Sequence, residues 1–137
     1  MRAAALLLLT TLLAPTAWAA NAVVNVAVVS LAGDARYAPR RLERAYPGHP
    51  AGRPWAAAQL AADDAQVELD TAGVSIKLID AVLPHAEGLP RLLAELKAAR
   101  VQHIVAALPT PELRQLVAAA PTALGGALVI NTSQADD

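Results

Sequence analysis

The chain contains no cysteine and no phenylalanine, and only 3% of its residues are aromatic. Without cysteine there is no disulfide scaffold, no Cys-ligated zinc, no iron–sulfur cluster and no thiol nucleophile. A surplus of charge is lacking too: 11 Lys+Arg stand against 12 Asp+Glu, a formal net charge of -1. Nucleic-acid-binding domains usually carry a basic face, so this balance speaks against a nucleic-acid partner. Chemistry-bearing signatures are also missing. There is no Gly-x-Gly-x-x-Gly after the first apolar run, no phosphate loop ending in Gly-Lys-Ser/Thr and no Gly-x-Ser-x-Gly elbow. These absences favour binding over catalysis, and no catalytic residue or cofactor is assigned. At 137 residues the chain has room for one domain, not two. Its 55% hydrophobic content is largely alanine, which buries little area, so a core must form without aromatic anchors.

What is present begins with an export signal. Arg2 supplies a positive start, Ala3 to Ala14 is apolar except for Thr10 and Thr11, and Ala17-Trp18-Ala19 puts small residues where a signal peptidase reads. The run is shorter than the roughly 20 residues that span a bilayer. Residues 1–19 are therefore expected to be a cleaved signal peptide. Residues 20–137 would remain as the mature chain, and a periplasmic location is expected.

The mature chain alternates strands and helices. Val23 to Leu31 is short, β-branched and almost continuously apolar, as in a strand buried on both faces. Asp34 to Pro54 holds four prolines and five arginines and reads as an irregular excursion. Trp55 to Thr71 is an alanine-rich helix stopped by Gly73, with Leu60, Ala61, Ala65 and Leu69 near one face. A second strand, Val74 to Leu83, looks more exposed, as near a sheet edge. Gly88 to Arg100 is a helix with a Leu89, Leu92, Leu93, Leu96 stripe. Val101 to Leu108 is a third strand. Thr110 is read as the cap of a helix with Pro111 first, running to about Ala120 and broken by Pro121 to Gly126. Ala127 to Asn131 is a fourth strand, and Thr132 to Asp137 a polar tail. The expected fold class is α/β: a doubly wound parallel sheet of strand order 2-1-3-4, with a topological switch between strands one and three. Ligands of such sheets sit outside the carboxyl ends of the strands.

Those ends define the candidate residues. Thr110-Pro111-Glu112 opens a helix whose free N–H groups and dipole suit an anion, although an ordinary N-cap uses the same residues. Asn131-Thr132-Ser133 offers small polar groups, which a turn after a strand also uses. Arg36, Arg40, Arg41, Arg44 and Arg53 accompany Tyr37 and Tyr46 in the segment after strand one; guanidinium forks bind carboxylates, and tyrosine rings stack on planar ligands. A solvated insertion would have the same composition. His49, His85 and His103 have no metal-type spacing to carboxylates, and Asp63, Asp64, Glu68 and Asp70 spread around a helix, so no metal site is assigned.

Three stretches carry a resemblance: Asp34-Ala35-Arg36-Tyr37-Ala38-Pro39-Arg40-Arg41, then Gly52-Arg53-Pro54-Trp55 leading into the alanine-rich helix, and Val129-Ile130-Asn131-Thr132-Ser133-Gln134-Ala135-Asp136-Asp137. With the signal and the opening Asn25-Val26-Ala27-Val28-Val29 strand, the chain resembles the start of a type I periplasmic substrate-binding protein. This is the branched-chain amino acid or amide type of receptor serving an ABC importer. More narrowly, it resembles the branch associated with pyrroloquinoline quinone (PQQ)-dependent alcohol catabolism. The resemblance implies a periplasmic receptor working with ABC transporter membrane subunits and holding a small-molecule ligand without altering it. By position, the ligand-holding hydroxyls would be Thr110 and Thr132 or Ser133. An anionic planar ligand would meet Arg36, Arg40, Arg41 and Tyr37. Family members have two lobes, and the resemblance covers the first lobe only; the second, with half of the cleft, is missing. The alternatives are a truncated, non-functional fragment of such a receptor and an exported α/β enzyme.

Overall fold

The structure is a computed structural model that describes residues 22–37 and 53–132. The expected signal peptide, Arg40, Arg41, Ser133 and most of the polar tail lie outside the described residues. Four strands form one sheet: β1 (Ala22–Leu31), β2 (Val74–Leu83), β3 (His103–Ala107) and β4 (Leu128–Asn131). All pairings are parallel and the order is β2-β1-β3-β4, so the switch between β1 and β3 lies where the sequence placed it. β2 occupies an edge, in keeping with its alternating pattern.

Strand geometry sorts the side chains onto two faces. Ala27 and Val29 of β1 lie in register with Ile79 and Ala81 of β2 and with Ile104 and Ala106 of β3. This face carries the core. It is covered by α3 (Leu89–Ala98) and α4 (Thr110–Ala123). In α3 the leucines at 89, 92, 93 and 96 recur at helical spacing and all four are buried, while Leu113, Leu116 and Ala120 are the buried positions of α4. The opposite face bears Val26, Leu78 and Val105, with α1 (Pro54–Asp64) against β1 and β2 and α2 (Gln66–Thr71) against β2. Neither α1 nor α2 has a buried residue. Leu128 and Ile130 on β4 stay exposed on that side. The apolar core is thus one-sided. No helix among the described residues is long and apolar enough to cross a membrane.

Several local expectations are corrected. The alanine-rich helix is two helices, parted at Ala65, whose ψ of 0° departs from the helical value. Leu60 is 62% exposed and points away from the sheet; Pro54, Trp55, Ala58, Ala62, Ala65 and Leu69 are the partly covered positions. Thr110 is the first helical residue of α4 rather than its cap. Pro109, with extended backbone (φ -61°, ψ 156°), takes the cap position and no side chain closes it. The helix also runs through Pro121 to Ala123. So near the end, the proline forfeits only its own N–H bond, and Leu124 N–H still reaches Ala120 O at 2.9 Å.

Asn25, polar in an otherwise apolar strand, has a defined task. Its side-chain amide donates to Ala99 O at 2.9 Å and to Arg100 O at 3.3 Å, satisfying carbonyls that the end of α3 leaves open. There Arg100 N–H bonds Lys97 O and Val101 N–H bonds Leu96 O, the paired closure in which a left-handed residue ends a helix. Gly73 plays that left-handed part after α2 at φ 67°, but after α3 it falls to Arg100 at φ 53°. A side chain there is strained by about 1 kcal/mol or more. Arg100→Gly is therefore expected to stabilise the fold by about 0.5–1 kcal/mol, raising the thermal midpoint by a few degrees in a melting curve. A lowered midpoint would contradict this.

Candidate functional site

The carboxyl edge of the sheet is where the crossovers leave the strands, and β1 shapes it first. After Leu31, Ala32 N–H bonds Leu83 O at 2.8 Å, tying the exit of β1 to the exit of β2. Gly33 turns the chain at φ 68°. Asp34 then accepts the N–H of Arg36 at 2.9 Å, the short-range turn that aspartate favours, and a single 3-10 turn (Ala35–Tyr37) follows. The Arg36 side chain folds back on the same carboxylate: Nη2 lies 2.6 Å from Oδ2, and Nε lies 3.1 and 3.0 Å from Oδ1 and Oδ2. Nη2 also donates to Ala107 O at 3.3 Å, fastening the loop to the end of β3. The guanidinium carbon stands 5.5 Å from the centre of the Tyr37 ring, within cation–π reach.

This clasp sets the charge states. The Arg36 hydrogen bonds hold the Asp34 carboxyl below its usual range, outweighing the opposing effect of burial. The Asp34 carboxylate in turn raises the Arg36 guanidinium, with smaller contributions from Tyr37 and Glu112. Glu112, in the first turn of α4, has its Oε2 buried without a hydrogen-bond partner. The charge of Arg36 is thus largely answered from within the fold.

Two open cavities meet at Tyr37 and Pro54. The first, about 360 Å³, lies at the exit of β1 and is lined by Ser30, the Ala32–Asp34 turn, Tyr37 and Arg53. The second, about 560 Å³, is a trough between α1 and the sheet, walled by Ala58, Ala61 and Ala62 on one side and Val26, Leu78 and Val105 on the other. Thr132 stands at its rim, its hydroxyl donating to Ala106 O at 3.2 Å.

Of the sequence-assigned residues, Tyr37 and Thr132 come together on the trough. Arg36 is at the same edge but folded into the clasp, and Thr110 opens α4 without lining either cavity. Arg40, Arg41 and Ser133 fall outside the described residues. Sequence reasoning included Ser30 in the strand-end stretch Ser30 to Tyr37 without giving it a ligand role, and did not single out Arg53 from its cluster. The available signals were a lone hydroxyl at a strand's carboxyl end and an arginine directly before a helix-opening proline. His85 pairs with Glu87 at 3.1 Å on open surface just after β2 leaves the sheet, and lines neither cavity. Among the described residues, no three His, Asp or Glu side chains converge as metal ligands would. No family model, no curated protein and no solved structure matches the chain.

Proposed function

We propose that the chain is the first lobe of a periplasmic solute receptor for an ABC importer, holding a small anionic ligand at the carboxyl edge of its sheet. The observation that carries this reading is the polar pocket at the exit of β1. It lies beside the β1/β3 switch, where parallel sheets of this order take ligands. Supporting it are the export-type N-terminus and the resemblance of the Asp34–Arg41 stretch to receptors linked to PQQ-dependent alcohol catabolism. Binding is favoured over catalysis because Asp34, the carboxylate of that pocket, is locked in the Arg36 fork rather than poised to move a proton. The opposite wall of the cleft would come from a second lobe, and the membrane subunits of the importer would be the protein partners.

Calorimetric titration of the full-length chain with PQQ tests the reading. A saturable heat is expected, weakened in an Arg40→Ala/Arg41→Ala double variant; equal affinity in that variant would remove the arginine argument. Absence of saturable binding by the quinone and by a panel of small carboxylates would overturn the receptor reading and leave an inactive lobe.

A further inference from the structure

The two cavities that share Tyr37 and Pro54 differ sharply in character, and the difference names a class of ligand. The pocket at the exit of β1 holds one cation with no ion pair among the described residues, Arg53, whose neighbour Pro54 starts α1. The N-terminus of α1 has no side-chain cap, and its dipole favours negative charge at that point. An independent observation points the same way. Ser30, only 7% exposed, lines this pocket, and its hydroxyl makes no hydrogen bond to any other described residue. That hydroxyl opens into the pocket without a partner among the described residues, so a bound acceptor would take its hydrogen bond. Asp34, also in the lining, brings no free negative charge because Arg36 holds it. The trough on the other side of Tyr37 is walled by aliphatic side chains alone, apart from Thr132 and Tyr37 at its margin. Together the volumes fall in the range of small-molecule sites.

We infer that this edge binds a small amphiphilic monocarboxylate, its carboxylate taken by Arg53 and the Ser30 hydroxyl and its hydrocarbon body laid in the trough between α1 and the sheet. The inference rests on the receptor reading above and narrows its ligand. Among the described residues, one uncommitted guanidinium and one hydroxyl match one carboxylate, and an apolar trough matches a body that prefers to leave water. Tyr37, flanking both cavities, would stand at the junction of head and body.

The test is calorimetry, or amide chemical-shift titration, on the full-length chain with octanoate, hexanoate, butyrate, octanol and PQQ. Octanoate is expected to bind, and each methylene added from butyrate upward to tighten binding about two- to fourfold. Arg53→Gln changes an exposed side chain, so the fold, checked by circular dichroism, is expected to persist. That variant should weaken octanoate roughly ten- to a hundredfold and leave octanol unchanged. Ser30→Ala should weaken octanoate alone, by a smaller factor. Ala62→Leu, which fills the trough, should weaken octanoate and octanol alike. Octanoate affinity indifferent to chain length or to Arg53 would overturn the inference. PQQ binding without octanoate binding would overturn it while leaving the receptor reading standing. No binding by any of the five would end both.

Discussion

Leu116→Ala is expected to destabilise the protein by about 3–5 kcal/mol, the largest effect of any single truncation considered for this fold. Leu116 is 0% exposed and sits in α4 between Leu113 and Ala120, in the same buried cluster as Ile104 and Ala106, the only extensive apolar layer among the described residues. That layer contains no aromatic side chain, so its leucines and isoleucine supply most of the buried area. Removing three carbons leaves a void that neighbouring alanines are too short to fill. Small domains are stable by only about 5–15 kcal/mol, so the loss consumes a large share of the total. Urea unfolding should show a lower midpoint with an unchanged slope. Leu60→Ala is the control: the side chain is 62% exposed on α1, and its truncation should move stability by less than about 0.5 kcal/mol. Equal losses at the two positions would show that the core is not one-sided.

The same asymmetry explains which parts of the fold were legible in the chain. Strand order followed from β-branched runs separated by crossovers, and α3 from leucines at 89, 92, 93 and 96 alternating with Arg91, Glu95 and Lys97. There the apolar stripe contrasts with a charged face, so only one orientation buries it. In α1 the contrast is weak: alanine stands at five of its eleven positions, and small apolar residues spread around a helix give it no strongly preferred face. Helical spacing alone groups Leu60 with Ala61, Ala65 and Leu69 on one face, with no charged stripe to fix which face turns inward. The helix instead turns the alanines at 58, 61 and 62 toward the sheet across the trough, and Leu60 outward. The start of α4 was ambiguous for a different reason. Pro109, Thr110 and Pro111 offer two overlapping cap frames, and the extended backbone of Pro109 selects the earlier one.

At the candidate site, residue types were legible but pairings were not. An arginine-rich stretch looks like a reserve of free cations, yet Asp34 lies two residues from Arg36, close enough for a turn to bring carboxylate and guanidinium together. Whether an arginine faces a ligand or its own loop depends on backbone dihedrals, which composition does not carry. Conversely, Ser30 within a strand resembles any tolerated small residue until the register sets it against Val82 and Ala107 at the carboxyl edge.

Removing the carboxylate of the clasp gives the second large effect. Asp34→Ala is expected to cost about 1.5–3 kcal/mol, because four Arg36 hydrogen bonds to the carboxylate are lost together. The value should fall toward the lower end, since the Arg36 side chain is 28% exposed and water screens part of the attraction. The Asp34 side chain is only 6% exposed, so the interaction remains well above that of an open surface pair. Asp34→Asn keeps the shape and one acceptor but removes the charge, and should cost less than alanine. The pH dependence separates charge from shape. Because folding lowers the Asp34 pKa, the unfolded chain takes up the proton first as pH falls. The contribution is complete above the ordinary aspartate value of about 4 and disappears as pH drops through the lowered folded value. The stability gap between the wild-type chain and Asp34→Asn should therefore be constant from neutral pH to about 5 and shrink below 4. Denaturation series at pH 7, 5, 4 and 3 measure it. A gap that stayed constant to pH 3 would mean that the charge on Asp34 does not hold the loop, and that backbone geometry alone fastens the exit of β1 to the end of β3.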